Sequence, residues 1–220
     1  AGAAAGFTAN PEAVLGNQGF VRAASNAGDP SQALAAIADE WLILGTLFKN
    51  HAACHLTHSP KESVLALRTE LDPTDMSAMT ITVNPGLLDV CGIAEPKTGL
   101  EGKFSLRGTA SLALNGMDTS NPETFVDSVI GSDAVQQLIP NITVETDRSL
   151  SQFQSRVVWV DRKQSAHEAF NDLSSPVSDY DEQGRKLESK FASLCGYAQV
   201  DGAATISKLK SLASTASIAL

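Results

Sequence analysis

The chain has 220 residues, 43% of them hydrophobic and 19% charged, which is enough to bury the core of one or two domains. Its formal net charge of −9 argues against nucleic acid as a partner, because that binding depends on Lys and Arg side chains that neutralise phosphates. No apolar run approaches the roughly 18 residues that a membrane-spanning helix needs, so we expect no membrane partner either.

The cysteines Cys54, Cys91 and Cys195 are odd in number and widely spaced. They match no zinc-binding pattern and predict no disulfide framework, so we expect free thiols in the reducing cytoplasm. The chain begins without Met, in an alanine-rich segment, and we expect it to continue from a longer protein.

The first part of the chain carries helix-start signals. Asn10-Pro11 and Asp29-Pro30 each combine a capping residue with Pro at the first helical position. Apolar residues between Gln32 and Phe48 recur every three or four positions, which predicts a buried helix face. Ser59-Pro60-Lys61-Glu62 has the pattern of a capping box, with Ser59 as the N-cap of the next helix.

After Arg68 the periodicity changes from helical to alternating, and short strands are predicted. A buried helix is predicted between them, from Phe104 to a C-cap at Asn115-Gly116. Pro122 and Ser132-Asp133 are expected to open two short helices. The predicted strands are Met79–Val83, Ile142–Glu145 and Arg156–Val160.

Helical periodicity returns at Ser178 and continues toward the C-terminus. The sequence therefore predicts an α+β protein in which an all-α body is interrupted by a smaller α+β lobe. Residues 1–69 and 178–220 are assigned to the helical body, and residues 70–177 to the lobe.

Three of the four histidines, His51, His55 and His58, lie within eight residues of each other, just after Lys49. Free N–H groups at the start of the helix favour an anion, and imidazoles can transfer protons near neutral pH. Lys49 adds positive charge. The segment predicts a site that binds a carboxylate and moves a proton.

Other interpretations of this segment stay open. The spacing of His51, His55 and His58 suits a metal site if the segment is helical, but the predicted cap places His58 outside the helix. Cys54 is a candidate nucleophile with a neighbouring His as its base. The histidines could also be packed or solvated without a chemical role.

Polar residues elsewhere are weaker candidates. Arg107 stands in a segment of small apolar residues and is either a ligand of a substrate carboxylate or a surface arginine. His167, Asp172 and Asp179 are expected to be solvated in a polar loop.

Four blocks of the sequence, in order, resemble the MmgE/PrpD family. The block from Lys49 to Leu67 resembles the family signature, with Lys49, Ala53-Cys54-His55 and the Thr57-His58 pair. The other three blocks are Gly6-Phe7-Thr8 with Gly19-Phe20, Gly102-Lys103-Phe104-Ser105-Leu106 with Asn115-Gly116, and Pro176-Val177-Ser178 with Lys190-Phe191.

The resemblance implies a helical body and an α+β lid with the active site between them, and no cofactor. It implies a lyase of small di- and tricarboxylates, most simply a 2-methylcitrate or alkylcitrate dehydratase; the alternatives are a cis-aconitate-type decarboxylase and an iminodisuccinate-type epimerase. By the same resemblance Lys49, Cys54, His55 and His58 are the catalytic candidates. Lys49, Arg107 and Ser59 are the substrate-binding candidates.

The chain also departs from the family pattern. Many relatives carry a Tyr in the lid block where this chain has Arg107 or Gly108, and an Arg cannot donate a proton as a phenol does. The N-terminal half of the family is missing from this sequence, so its partner is expected to be that half, in a homodimer. A truncated homologue that serves as a binding or assembly subunit is the rival interpretation.

Overall fold

The computed structural model describes residues 2–24 and 42–211, and the chain divides into two compact units. The first unit comprises residues 1–46 and 211–220, and the second comprises residues 47–210. In the first unit, the helix predicted from Asn10-Pro11 is wrong. The Asn10 side chain accepts a hydrogen bond from the Glu12 N–H, and turns continue up to the short helix α1, Phe20–Ala24.

The helix predicted between Gln32 and Phe48 lies largely outside the described residues. The described part of that stretch contains a single turn of 3-10 helix, Leu42–Gly45.

The second unit is built on a four-stranded mixed sheet. Its order is β2-β1-β3-β4, with β1 parallel to β2 and antiparallel to β3, and with β3 and β4 antiparallel. The strands are β1 Met76–Val83, β2 Ile142–Thr146, β3 Gln154–Asp161 and β4 Ala166–Asp172. The three predicted strands are confirmed, each slightly longer than expected.

His167 and Asp172 were expected to be solvated in a polar loop; Asp172 is exposed, but both residues lie in strand β4 and not in a loop. This edge strand pairs with β3 along its whole length, yet alternates only between exposed and half-buried residues. Its sequence therefore lacks the apolar alternation that makes a strand recognisable.

Helix α2, His58–Glu70, packs against strands β3 and β4. Hydrogen bonds join its first turn to both strands. The Ser59 hydroxyl lies 2.8 Å from the Ser155 hydroxyl of β3 and donates to the Asn171 carbonyl of β4 at 2.9 Å. Ser63, one turn later, faces the same Ser155. Val64 and Leu67 of α2 enter the main hydrophobic core.

Helix α5, Leu106–Leu114, packs against α2 and β2, which confirms the buried helix predicted between Phe104 and Asn115. Ser105 caps it, its hydroxyl accepting from the Gly108 N–H. Gly116 ends it with a φ of +70°, in the left-handed region that glycine tolerates best. A Cβ at Gly116 would lie 2.4 Å from the Arg68 guanidinium.

The remaining helices surround this core. The Pro122 signal gives a 3-10 turn, Pro122–Phe125, and Ser132 precedes a short helix, as predicted. Asp179, expected to be solvated in a loop, caps the long C-terminal helix by accepting from the Glu182 N–H. The helices are α3 Leu88–Cys91, α4 Gly99–Lys103, α5 Leu106–Leu114, α6 Asp127–Ile130, α7 Asp133–Gln136, α8 Tyr180–Ala198 and α9 Ala203–Ser211.

The protein is of the mixed α+β class. Helix α2, which the sequence placed in the helical body with residues 1–69, packs on the sheet, and α8 lies in the same compact unit as the sheet. None of the described helices combines the length and hydropathy needed to cross a bilayer.

Candidate functional site

The candidate site lies at the start of α2, where the chain enters the helix through the 3-10 turn His55–Thr57. A cavity of about 50 Å³ opens beside this turn and is lined by His55, His58 and Glu62, among others. A wider groove of about 570 Å³ shares Glu62 with it, and Asn50 and Gln183 line both. The site thus combines a water-sized recess with a groove large enough for a small organic acid.

The helix does not begin as the sequence predicted. Thr57 is the N-cap and His58 is the first helical residue, so the capping box with Ser59 is wrong. The 3-10 turn leads directly into the helix, and the Thr57 hydroxyl donates to the Cys54 carbonyl instead of capping an N–H. Glu62, expected to close that box, turns toward His51.

Glu62 and His51 form the most direct ionisable pair of the site. His51 Nε2 lies 2.6 Å from Glu62 Oε1, and His51 Nδ1 lies 2.9 Å from the Thr119 hydroxyl. An ionised carboxylate can only accept, so His51 donates to Glu62, and in the neutral ring Nδ1 accepts from Thr119. Burial lowers the pKa of His51 although Glu62 acts in the opposite direction.

His58 is the most deeply buried of the three histidines, with 2% of its surface exposed. Burial first, and then the charge of Lys61, lowers its pKa to about 2. Its Nε2 is buried with no hydrogen-bond partner, and the Ala53 backbone acts weakly in the opposite direction on the pKa. In the neutral tautomer that carries the proton on Nδ1, the Nε2 lone pair is free to accept a proton.

His55 continues the cluster toward the cavity. Its ring centroid lies 4.7 Å from that of His58, and its edge meets Phe153 at 5.7 Å. His55 Nε2 is also buried without a partner, and burial and then Lys49 lower the pKa of this ring. The rings of His51 and His58 meet edge to face at 4.8 Å.

Lys49 is exposed, and its backbone carbonyl accepts a hydrogen bond from the Lys190 ammonium of α8. Its side chain lines a different, apolar groove between α8 and α9, of about 580 Å³. Of the residues predicted for the site, the structure thus brings His55 and His58 together, and the charge of Lys49 acts on His55.

The side chains of two other predicted site residues, Cys54 and Ser59, point into the protein interior. The Cys54 side chain packs against the main core, where its thiol meets the thiol of Cys91; burial, and then Cys54, raises the pKa of Cys91 to about 12. Ser59 is buried inside α2, and its hydroxyl is engaged by Ser155 and Asn171.

Arg107 is not brought to the histidines. It lines a separate cavity of about 200 Å³ together with Cys91, Leu106 and Val144. The role in substrate binding that the sequence suggested for Arg107 and Ser59 stays a prediction.

The prediction from sequence missed Glu62 as a site residue, together with Lys61, Asn50 and Gln183. Glu62 was recoverable, since it lies four residues after His58 and therefore on the same face of the helix. Asn50 and Gln183 are joined by a hydrogen bond of 3.2 Å across 133 residues, which no local pattern reveals.

The predicted cap, which placed His58 outside the helix and away from a three-histidine metal site, is not formed, because His58 is the first helical residue. The geometry supplies a different observation: both ring nitrogens of His51 have partners, Glu62 and Thr119. Within residues 2–24 and 42–211, no group of three His, Cys, Asp or Glu side chains is arranged to hold a metal ion.

Comparison with known families gives one decisive match. The model of the MmgE/PrpD C-terminal domain matches residues 51–212, which include all three clustered histidines and the whole sheet. The chain belongs to the MmgE/PrpD family. The resemblance inferred from the four sequence blocks is thereby confirmed, and family membership supports a lyase-like function. A comparison with curated proteins found no match.

Proposed function

We propose that this MmgE/PrpD chain is the C-terminal portion of a cofactor-independent lyase that removes a proton next to a carboxylate of a small polycarboxylate. The proposed reaction is the elimination of water from a 2-methylcitrate or alkylcitrate substrate. The observation that carries the proposal is buried His58, which lines the cavity and whose Nε2 has no hydrogen-bond partner.

His58 is a weak base while the site is empty, because burial and Lys61 hold its pKa near 2. A carboxylate within about 4–6 Å would favour the protonated ring and raise that pKa toward neutrality. Proton abstraction by His58 would thus depend on a bound anion, and the proton taken up by His58 would be returned to the leaving hydroxyl, which departs as water.

The charges around the site suit an anionic intermediate. Proton removal next to a carboxylate leaves an enolate-like charge that needs positive groups nearby. Lys49 lies close enough to act on His55, and Lys190 is held beside it at the Lys49 carbonyl. These cations offset the repulsion that a net charge of −9 imposes on an anion at long range.

The rest of the architecture is proposed from the family. The matched family model describes a C-terminal domain, so we propose that activity requires the N-terminal domain as well. In that arrangement the sheet unit acts as the lid over an all-α body, with the groove at Glu62 facing the body. A homodimer and a cytoplasmic location stay predictions.

Steady-state kinetics on the chain joined to an N-terminal domain test this function. Lys49→Ala and His58→Ala should each lower kcat roughly a hundred- to thousandfold, the usual effect of losing a group that stabilises the transition state. His167→Ala, on the edge strand β4, is the matched control and should keep the wild-type rate. Separate assays with 2-methylcitrate, cis-aconitate and iminodisuccinate identify the reaction.

Three other results would contradict different parts of the proposal. Wild-type rates in both variants would show that the histidine cluster is not the active site. Decarboxylation of cis-aconitate without dehydration of 2-methylcitrate would replace the proposed reaction. Binding without turnover of any substrate would favour the non-catalytic homologue.

A further inference from the structure

Lys61 is an unusual residue for the interior of a protein. Its surface is 0% exposed, and its ammonium nitrogen has no hydrogen-bond partner. Lysines are almost never buried completely without a partner, because an isolated ammonium loses its hydration and gains nothing in return. A methionine would fill the same volume without this cost, so the amine itself requires an explanation.

The position of Lys61 connects it to the candidate site. It follows His58 by three residues, so the two side chains leave α2 on the same face. Ionisable groups from four segments interact with its charge. They are His58 and Glu62 on α2, His51 before the helix, Asp118 after α5 and Lys190 on α8.

These neighbours act on the pKa of Lys61 in opposite directions. Glu62 and Asp118 favour the ammonium form, whereas Lys190 and the loss of hydration favour the neutral amine. Burial dominates, so the pKa of Lys61 lies well below its usual value. Lys61 therefore loses its proton at a lower pH than an exposed lysine, and while it is charged its field acts on both His51 and His58.

We propose that Lys61 is a positioning residue of this site: a buried amine, one helical turn after His58, whose positive charge keeps the His58 ring neutral and therefore free to accept a proton. The inference rests on the proposed function, in which His58 is the base.

The test uses the whole chain and does not depend on turnover. The histidine rings of the wild type and of Lys61→Met are titrated by NMR, with His51 and His58 assigned through single substitutions. Lys61→Met should fold, because an apolar side chain of similar volume replaces a buried charge. Without the positive charge of Lys61, both rings should take up protons at a pH higher by about one unit or more. Lys163→Met, an exposed lysine between β3 and β4, is the control and should leave both titrations unchanged.

A second measurement covers the case in which Lys61→Met does not fold. The lysine 13Cε resonances of the wild type are followed with pH, and one lysine should lose its proton well below the others. All lysines titrating together, or histidine titrations that do not move in Lys61→Met, would overturn the inference and leave Lys61 as a core filler. An inactive enzyme whose histidines do shift would refute the proposed function and retain the role of Lys61.

Discussion

At the scale of single residues, the start of α2 concentrates buried ionisable groups. His51 and His58 are buried, and both rings have lowered pKa values because burial penalises the charged form. Neutral His51 donates a hydrogen bond to Glu62, and neutral His58 keeps a free acceptor nitrogen. Two charged rings could not provide this combination, because both nitrogens of a charged ring are donors. Because these rings resist protonation in the folded state, the fold is expected to lose stability in acid.

We predict that the free energy of unfolding decreases as the pH is lowered from 6.5. The folded pKa of His58 is about 2, so between pH 2 and 6.5 the unfolded chain binds a proton that the folded chain does not. Stability therefore rises with pH across this window, by about 1.4 kcal/mol per pH unit for one such group. Urea unfolding from pH 7 to pH 4 measures the slope. His58→Gln should reduce the slope by about one proton, and His167→Gln should not; equal slopes in all three would refute the prediction.

At the scale of elements, helix α5 is defined at both ends by local signals and in its middle by burial. Ser105 caps its start, and Gly116 ends it at a positive φ. From Leu106 to Leu114 only Arg107 is not fully buried, and Ser111 within this stretch donates to the Val135 carbonyl. The helix thus joins the sheet to the second hydrophobic cluster, which contains Leu112, Phe125, Ile130, Val135 and Ile139.

Ser105→Ala should lower the free energy of unfolding by about 2 kcal/mol. The buried Ser105 hydroxyl accepts from the Gly108 N–H at 2.9 Å and donates to the Ile93 carbonyl at 2.6 Å. Its removal leaves both backbone groups unpaired. Chemical denaturation measures the change, with Ser149→Ala as the control in an exposed turn, where a cost within about 0.5 kcal/mol is expected. Equal changes in the free energy of unfolding for the two substitutions would show that the Ser105 cap does not stabilise the helix.

At the scale of the whole molecule, stability is concentrated in the unit of residues 47–210. The inner strands β1 and β3 carry fully buried side chains, including Ile81, Val157 and Trp159, and α2 and α5 pack together beside them. In residues 2–24, by contrast, nearly every residue with an assigned burial is exposed.

Hydrogen exchange should follow this division. Amides in the middle of β1 and β3 should exchange most slowly, through global unfolding, because their hydrogen bonds lie between two other strands and under two helices. Amides of β4, at the edge, should exchange earlier, and those of residues 2–24 earliest. Mass spectrometry of peptic peptides after deuteration measures the order, and protection of residues 2–24 equal to that of β1 would contradict it.

The sequence by itself determined the family, the α+β class, three of the four strands, the ends of α5 and the segment that carries the histidines. These features depend on caps, turns and periodicities that operate within a few residues. The tertiary structure alone decided that His58 lies inside the helix, that Glu62 turns to His51 and not to the helix end, and that β4 forms at the edge. It also decided that Lys61 is buried without a partner and that Arg107 lies in another cavity. Such choices depend on contacts between distant segments, where the loss of hydration and the available partners set the outcome.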